Sequence, residues 1–397
     1  MKYVLVSVGT RGDMEPFLAI AQLLQKHGHN TICAFPTQFQ ALAVDAGLPF
    51  YPLSKEFIEL IEGEDAVNLM GGKISVSKKI RILIKLYKLG VRVNKQLVEE
   101  QVLLFEKEKP DRVVFNGKST YPIIWEILNP GKSFFVSPVP CLIHPVNEYP
   151  HVGFKGNYGR VINRLTYRLA NFGLLQNIQS TTKGVRSKWK IKNSQIKRTL
   201  FKLNALYTIS PTLFSQPYYW PANARIVGYF ERDKKANWEP SQALNDFLDS
   251  HTKVLFFTFG SMTNPEPTAK TRILIDILQK NKIPAIINTA SGGLPEAVDY
   301  DRSLIRFEKT IPYDWLFPKI HAVVHHGGSG TTHAAVKYGC ASMIIPHIID
   351  QFHWNNLLYD LGLGPKGLSI DKITESNLTP KIIELHSNEN YKNTAKG

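Results

Sequence analysis

The chain opens on an apolar run, "KYVLVSV", that reads as a buried β-strand. The loop "GTRGDME" follows, and Pro16 suits the first turn of a helix. That helix runs through "FLAIAQLLQKHG", with Leu18, Ala21 and Leu24 at helical spacing and Gly28 as its stop. "NTICAF" is the next strand, "TQFQALAVDAG" the next helix and "LPFYPL" a third strand. Strand, helix, strand, helix, strand predicts a parallel sheet with right-handed crossovers. "DRVVFNG", "SFFVSP" and "LYTIS" read as further strands of the same sheet.

The pattern then restarts. After a polar stretch from Glu231 to His251, "KVLFFTFGS" is a long buried strand, and a helix follows near Pro267 to Lys280. "PAIINTA", "SLIRFE", "HAVVHH" and "SMIIPH" are strands, with helices at "DWLF" and "TTHAAVKYG". The fold class is therefore α/β, with two doubly wound, Rossmann-like domains predicted to face each other across a cleft. The expected division is a domain over 1–228, a charged linker over 229–252 that holds Pro240, a second domain over 253–380, and a tail over 381–397 whose end, "NENYKNTAKG", is read as frayed. A chain of 397 residues fits two domains of about 200 residues each. Ligands of open α/β sheets bind beyond the carboxyl ends of the strands. That draws attention to five loops at predicted strand ends: "GTRGDMEP", "FGSMTNPE", "EKTIPYDW", "HHGGSGTTH" and "PHIIDQFHW".

Composition changes this picture little, and charge changes it more. Three dispersed cysteines without a C-x-x-C pair argue against a disulfide framework or zinc ribbon and for a reducing, cytoplasmic setting. The N-terminal apolar run is too short for a signal peptide, and no run reaches the roughly 18 residues of a membrane span. The net charge of +15 is concentrated. Residues 73–95 carry eight Lys/Arg and no acid, and so do residues 183–202. Such blocks suit anionic ligands or lipid, or are solvated helix faces. Within the first, Ile80, Leu83, Ile84, Tyr87 and Val91 oppose Lys78, Arg81, Lys85, Lys88 and Arg92, which predicts a basic amphipathic helix. It either packs on the first domain with its polar face in solvent or touches the inner face of a membrane.

The densest chemistry lies in "VVHHGGSGTTH", Val323 to His333. Gly327, Gly328 and Gly330 let the backbone turn and approach a ligand. Ser329, Thr331 and Thr332 are placed to cap the next helix, whose first turn has free N–H donors and partial positive charge. This is a phosphate-binding arrangement, although a tight turn that binds nothing has the same local look. Neither G-x-G-x-x-G nor the P-loop pattern is present. His325 and His326 are adjacent on a strand and point to opposite faces, so with His333 they make a poor metal site. No metal is expected. The "DYD" at Asp299 to Asp301 precedes a strand rather than following one and is read as chance.

At these residues the chain resembles the family 1 glycosyltransferases of the GT-B fold. It looks most like the branch with sterol, glycopeptide-antibiotic and other bacterial lipophilic-acceptor glucosyltransferases. Four motifs fall in order over nearly the whole chain: "GTRGDMEP", "FTFGSM", "IPYDWLFP" and "VVHHGGSGTTHAAVKYGCASMIIPHIIDQFHW". The resemblance implies a nucleotide-sugar donor held mainly by the second domain and a hydroxylated lipophilic acceptor held by the first. It assigns the pyrophosphate to His325, Gly327, Gly328, Ser329, Gly330, Thr331 and Ser261. The sugar hydroxyls fall to Asp350 and Gln351, and the base to Ile311 and Tyr313. Thr310 stands where plant members stack a tryptophan on uracil, and His333 where they place an acid at the ribose. A UDP-sugar is favoured over a dTDP-sugar, with no further cofactor and no nucleic-acid partner.

The same resemblance makes Asp13, beside Gly12 in the acceptor-side loop, the general base. Its other reading is a helix cap or a partner of Arg11. The implied chemistry is one displacement at the anomeric carbon with inversion, glucose passing from UDP-glucose to a hydroxyl. "QPYYWP" and "VPCLIHPVNEYP" are candidate acceptor-pocket linings, or core. A nucleotide-sugar 2-epimerase and a non-catalytic lipid- or membrane-binding protein are the alternatives on the same architecture.

Overall fold

The computed structural model describes residues 1–63, 76–232, 238–260, 262, 264, 266–289 and 293–397. The chain divides into two compact units, Met1–Lys235 and Ala236–Gly397. The division falls within the segment read as a linker.

The first unit holds seven strands: β1 Lys2–Val6, β2 Asn30–Pro36, β3 Phe50–Leu53, β4 Arg112–Phe115, β5 Ser133–Ser137, β6 Asn204–Tyr207 and β7 Ala224–Ile226. All pairs are parallel, in the order β3-β2-β1-β4-β5-β6-β7. The order reverses beside β1, which pairs with β2 on one side and β4 on the other. The carboxyl ends of β1 and β4 therefore flank the switch point, where a doubly wound sheet leaves a crevice. Leu5, Cys33, Phe35, Val114 and Val136 of the sheet meet Met14, Phe17, Leu18 and Ala21 of helix Arg11–Lys26.

The second unit holds β8 Leu255–Thr258, β9 Ala285–Asn288, β10 Ile305–Glu308, β11 Ala322–His325 and β12 Ala341–Ile344. They form a parallel sheet in the order β10-β9-β8-β11-β12, so its switch point lies between β8 and β11. Leu255, Phe257, Val324 and Met343 face one core, while Phe256, Ile286 and Val323 face another. Burial on both faces is why these strands read as continuous apolar runs.

Several expectations change. Helix Arg11–Lys26 starts five residues before Pro16, so Gly12 and Asp13 lie in its first turn rather than in a loop. Thr10 in extended conformation is its N-cap, and Pro16 sits inside the helix. Part of the supposed linker is helix Gln242–Ser250, capped by the Ser241 hydroxyl and packed through Leu244 and Phe247 onto the second core. The supposed frayed tail is helical as well, over Glu375–Ser387 and Glu389–Lys396. Leu378, Ile382 and Leu385 are fully buried, each stabilising by about 1.5–3 kcal/mol, which is ample to hold the segment down. The basic helix is real and long, Val76–Glu108, but Ile84 of its expected apolar side faces outward. Ile82, Val93, Leu97 and Val98 are buried, whereas Ile84 is 52% exposed. Lys73 and the side chains of Ile80, Leu83 and Tyr87 lie outside the described residues. No helix of the described residues is long and apolar enough to cross a membrane.

Candidate functional site

At the first switch point the chain leaves β1 through Ser7, Val8 and Gly9 and enters the helix at Arg11. Asp13 is the third helical residue, where a carboxylate favours the helix dipole. Its Oδ2 accepts the Thr10 backbone N–H at 2.8 Å and the Thr10 hydroxyl at 3.3 Å. Lys118, from the loop after β4, donates its ammonium to both Asp13 oxygens at 2.7 Å. The pair is only partly enclosed, with the Asp13 side chain 22% exposed. Below it the buried Ser7 hydroxyl donates to the Asp13 carbonyl at 2.8 Å, and the buried Asn116 amide donates to Ser7 Oγ and to the Val8 carbonyl. Gly9 has φ of +130°, and a Cβ there would sit 2.2 Å from Asp13 Oδ2 and 2.4 Å from Lys118 Nζ. Glycine is therefore required both by conformation and by the pair lying on it. Asp13 is thus capped and paired, but with Lys118 rather than with Arg11, which reaches Glu15.

At the second switch point β11 ends at fully buried His325. Its Nδ1 accepts the Gly327 N–H at 3.2 Å. The ring proton must then be on Nε2, which is buried and has no partner among the described residues. Burial, with His326 beside it, pushes the His325 pKa down to about 3, so the imidazole is neutral and acts as a dipolar N–H donor. The next helix, Ser329–Lys337, has Gly328 as its N-cap with no side-chain cap. Ser329, Thr331 and Thr332 therefore do not cap it. Thr332 instead turns its hydroxyl back to the Gly328 carbonyl at 3.0 Å. Ser329, Gly330 and Thr331 form the first turn, whose N–H groups have no intrahelical acceptor and carry the positive end of the dipole.

The other two histidines have structural duties. His326 fills the space between the β8 and β11 loops: a Cβ on Gly328 would come within 2.4 Å of its Nε2, and one on Gly260 within 2.9 Å of its Cε1. His333 turns back along its own helix, Nδ1 donating to the Ser329 carbonyl at 2.7 Å, and its ring stands edge-on to Trp354. Among the described residues no group of three or more His, Cys, Asp or Glu is gathered as metal ligands would be.

The neighbouring loops are tied to one another. His347, after β12, donates its Nε2–H to Asn264 Oδ1, and Asn264 Nδ2 donates to the Gly293 carbonyl. Gln351 Oε1 accepts the His347 and Ile348 N–H groups at 2.7 and 3.1 Å, leaving its amide N–H₂ as donors for another partner. Asp350 is the N-cap residue of helix Gln351–Asp360 but does not cap it through its side chain. Just before it, Ile349 is exposed with φ of +37°, a strained conformation for a β-branched residue. The Ile311 side chain is buried in core, and Tyr313 is stacked on Phe317 with its hydroxyl 3.0 Å from Thr258 Oγ1. Trp238 donates its indole N–H to the Thr310 carbonyl and meets Trp315 edge-on. Ser261 lies outside the described residues. Lys118, Asn116, His347 and Asn264 were not singled out from the sequence. All four follow apolar strands, but their pairings join distant parts of the chain and leave no local signal.

Residues 3–106 match the family described as the glycosyltransferase family 28 N-terminal domain, and residues 289–397 the erythromycin biosynthesis protein CIII-like C-terminal domain. Over 96% of its length the chain is 30% identical to sterol 3-beta-glucosyltransferase UGT80A2 of Arabidopsis thaliana. It shares its fold with the glycotransferase of kitacinnamycin, with a TM-score of 0.71 at 14% identity over 100% of this chain and 93% of that one. The chain has the GT-B fold of these glycosyltransferases. The calicheamicin glycosyltransferase CalG4 shares that GT-B fold, with a TM-score of 0.69 at 15% identity over 99% of this chain and 92% of that one. A yeast sterol 3-beta-glucosyltransferase (Saccharomyces cerevisiae) is 25% identical over 99% of this chain. The chain spans 60% of the length of the Arabidopsis relative and 33% of the yeast one.

Proposed function

We propose that this chain is an inverting glycosyltransferase that moves glucose from UDP-glucose to the hydroxyl of a sterol-like lipophilic acceptor. The observation that carries this reading is the His325 Nε2–H, a buried donor without an acceptor among the described residues, four residues before the helix start at Ser329. Unpaired buried donors are costly, and this one is explained by an anionic ligand. A nucleotide-sugar pyrophosphate fits that demand, and its negative charge grows as it leaves. The relatives named sterol 3-beta-glucosyltransferase support the acceptor class and the sugar. A dTDP-sugar is the rival donor, since a structural neighbour of the same fold is described as complexed with thymidine diphosphate.

In this mechanism the second unit holds the donor. The helix start and the His325 N–H bind the pyrophosphate, while Asp350 and the Gln351 amide bind sugar hydroxyls. The acceptor hydroxyl gives its proton to Asp13 Oδ1, the oxygen not engaged by Thr10, as Lys118 yields that position. The hydroxyl oxygen bonds to the anomeric carbon as the bond to the leaving phosphate breaks, and an α-linked donor gives a β-glycoside. No metal is required, because N–H dipoles take the leaving charge.

The test incubates the chain with UDP-glucose or dTDP-glucose and a sterol panel and measures nucleotide release. Acceptor-dependent UDP release and a β-linked product by NMR, both unaffected by EDTA, support the reading. Release or isomerisation of the sugar nucleotide without acceptor, or no turnover with any donor, overturns it.

A further inference from the structure

The first three turns of helix Arg160–Thr181 are built inside out. Their buried side carries Asn163, Thr166, Tyr167 and Asn171, which have polar groups, and apolar Leu175 and Ile178 are buried only further along. The polar groups hold the preceding loop: Asn163 donates to the Asn147 carbonyl, Asn171 to the Ile143 carbonyl and Tyr167 to the Tyr149 carbonyl, while Thr166 accepts the His151 N–H. The outward side carries Val161, Ile162, Leu165, Leu169 and Phe172, with Val161 75%, Leu169 63% and Phe172 61% exposed. At 1.5 Å per residue this stripe runs about 16 Å along one face of the helix. Exposed Tyr158 extends it at the start. A water-facing helix ordinarily has the opposite arrangement, and a continuous apolar surface of this kind marks a contact site.

Charge indicates what covers it. Arg160, Arg164 and Arg168 recur every four residues along one edge of the stripe and are exposed. From Tyr149 to Phe230 the chain has thirteen Lys/Arg and no Asp or Glu. The following helices Lys183–Lys188 and Asn193–Lys202 add Lys183, Lys188, Lys197, Arg198 and Lys202 at the surface, with exposed Trp189 between them. A second copy meeting this face would bring one basic, acid-free surface against another. A surface of anionic headgroups satisfies both features at once, with the stripe entering the acyl boundary and the basic edges meeting the headgroups.

We infer that helix Arg160–Thr181 is the face by which this chain docks on an anionic lipid bilayer. The sequence had pointed to residues 73–95 for this role. There, among the described residues, the exposed large apolar side chains are Ile84 and Leu89.

The test is co-sedimentation of the full chain with phosphatidylcholine vesicles, with and without phosphatidylglycerol, and with no sugar nucleotide. Because no turnover is needed, its failure is separable from failure of the transferase reading. Binding should require phosphatidylglycerol and fall steeply with salt. The surface variant L169Q/F172Q should bind about tenfold more weakly at an unchanged melting temperature, and so should R164E/R168E. The control I84Q/L89Q should bind as the parent does. The inference is overturned if the parent ignores anionic vesicles, or if only I84Q/L89Q loses binding. It is equally overturned if the parent is a dimer in light scattering that L169Q/F172Q dissociates without affecting vesicle binding.

Discussion

At the residue scale, the two switch-point groups do different work and should fail differently. Asp13 is held on one oxygen by Thr10 and on both by Lys118. Asp13→Asn keeps the shape and removes the proton acceptor, so kcat should fall by at least about a hundredfold with binding of donor unchanged. Lys118→Met leaves the Thr10 contacts in place, and kcat should drop by only about tenfold. Equal losses in the two variants would show that Lys118 is itself essential to the chemistry. His325 and His333 are both buried, so replacing either with alanine should lower the melting temperature. Only His325→Ala removes the Nε2–H donor, and kcat/KM for the donor should fall by about a hundredfold. His333→Ala loosens the first helical turn and the Trp354 contact, and its kinetic loss should be far smaller. Calorimetric titration with UDP separates the two. Asp13 and His325 were singled out because each sits in a motif that follows an apolar strand, and their proposed roles come from the resemblance those motifs carry. Lys118 was not, because its contact with Asp13 spans 105 residues and leaves no local pattern.

At the scale of elements, the loops work because glycine lets other side chains occupy the space a Cβ would take. Gly9→Ala would force backbone of φ +130° on an L-residue and drive the Asp13 carboxylate and Lys118 off their positions. It should cost about 1–3 kcal/mol in urea unfolding and remove most activity. Gly328 has an ordinary φ of −64°, so Gly328→Ala is a purely steric probe, displacing the His326 ring. The cost there should be similar in stability, and the double variant Gly328→Ala with His326→Ala should recover part of it. A Gly328→Ala protein as stable as the parent would show that His326 moves freely. The strands were legible for a related reason. Buried on both faces, they carry runs such as "VLFFTF" that helix periodicity does not imitate. β7 escaped notice because it has three residues at a sheet edge and includes exposed Arg225. Helix Arg160–Thr181 escaped because its apolar and polar sides are exchanged, so neither side announced a core.

At the scale of the whole molecule, the histidines make stability depend on pH, and unequally between the units. Burial pulls His144 and His151 of the first unit to about 4. It pulls His325 and His326 of the second to about 3, and His347 and His353 to about 4. Once unfolded, each returns to the ordinary value of about 6.5 and takes up a proton that the folded state refuses. The unfolded chain therefore binds more protons below pH 6.5, and stability is present above that value and lost as pH falls toward 4. Each group contributes about 1.4 kcal/mol per pH unit in this window, or about 2 kcal/mol by pH 5. Carboxylates titrate mostly below this range, so histidine dominates it. Four of the six lie within 325–353, on the loops and helix that surround the proposed donor site. The second unit should then lose stability about twice as steeply as the first between pH 7 and 5, and donor binding should disappear before the first unit opens. Hydrogen exchange read by mass spectrometry at pH 7, 6 and 5 resolves the two units within the intact chain. Protection should collapse first across 322–360 and later across 2–36 and 112–137. The opposite order, or a single transition whose midpoint does not move with pH, would mean that these imidazoles are not the neutral buried groups on which the His325 donor argument depends.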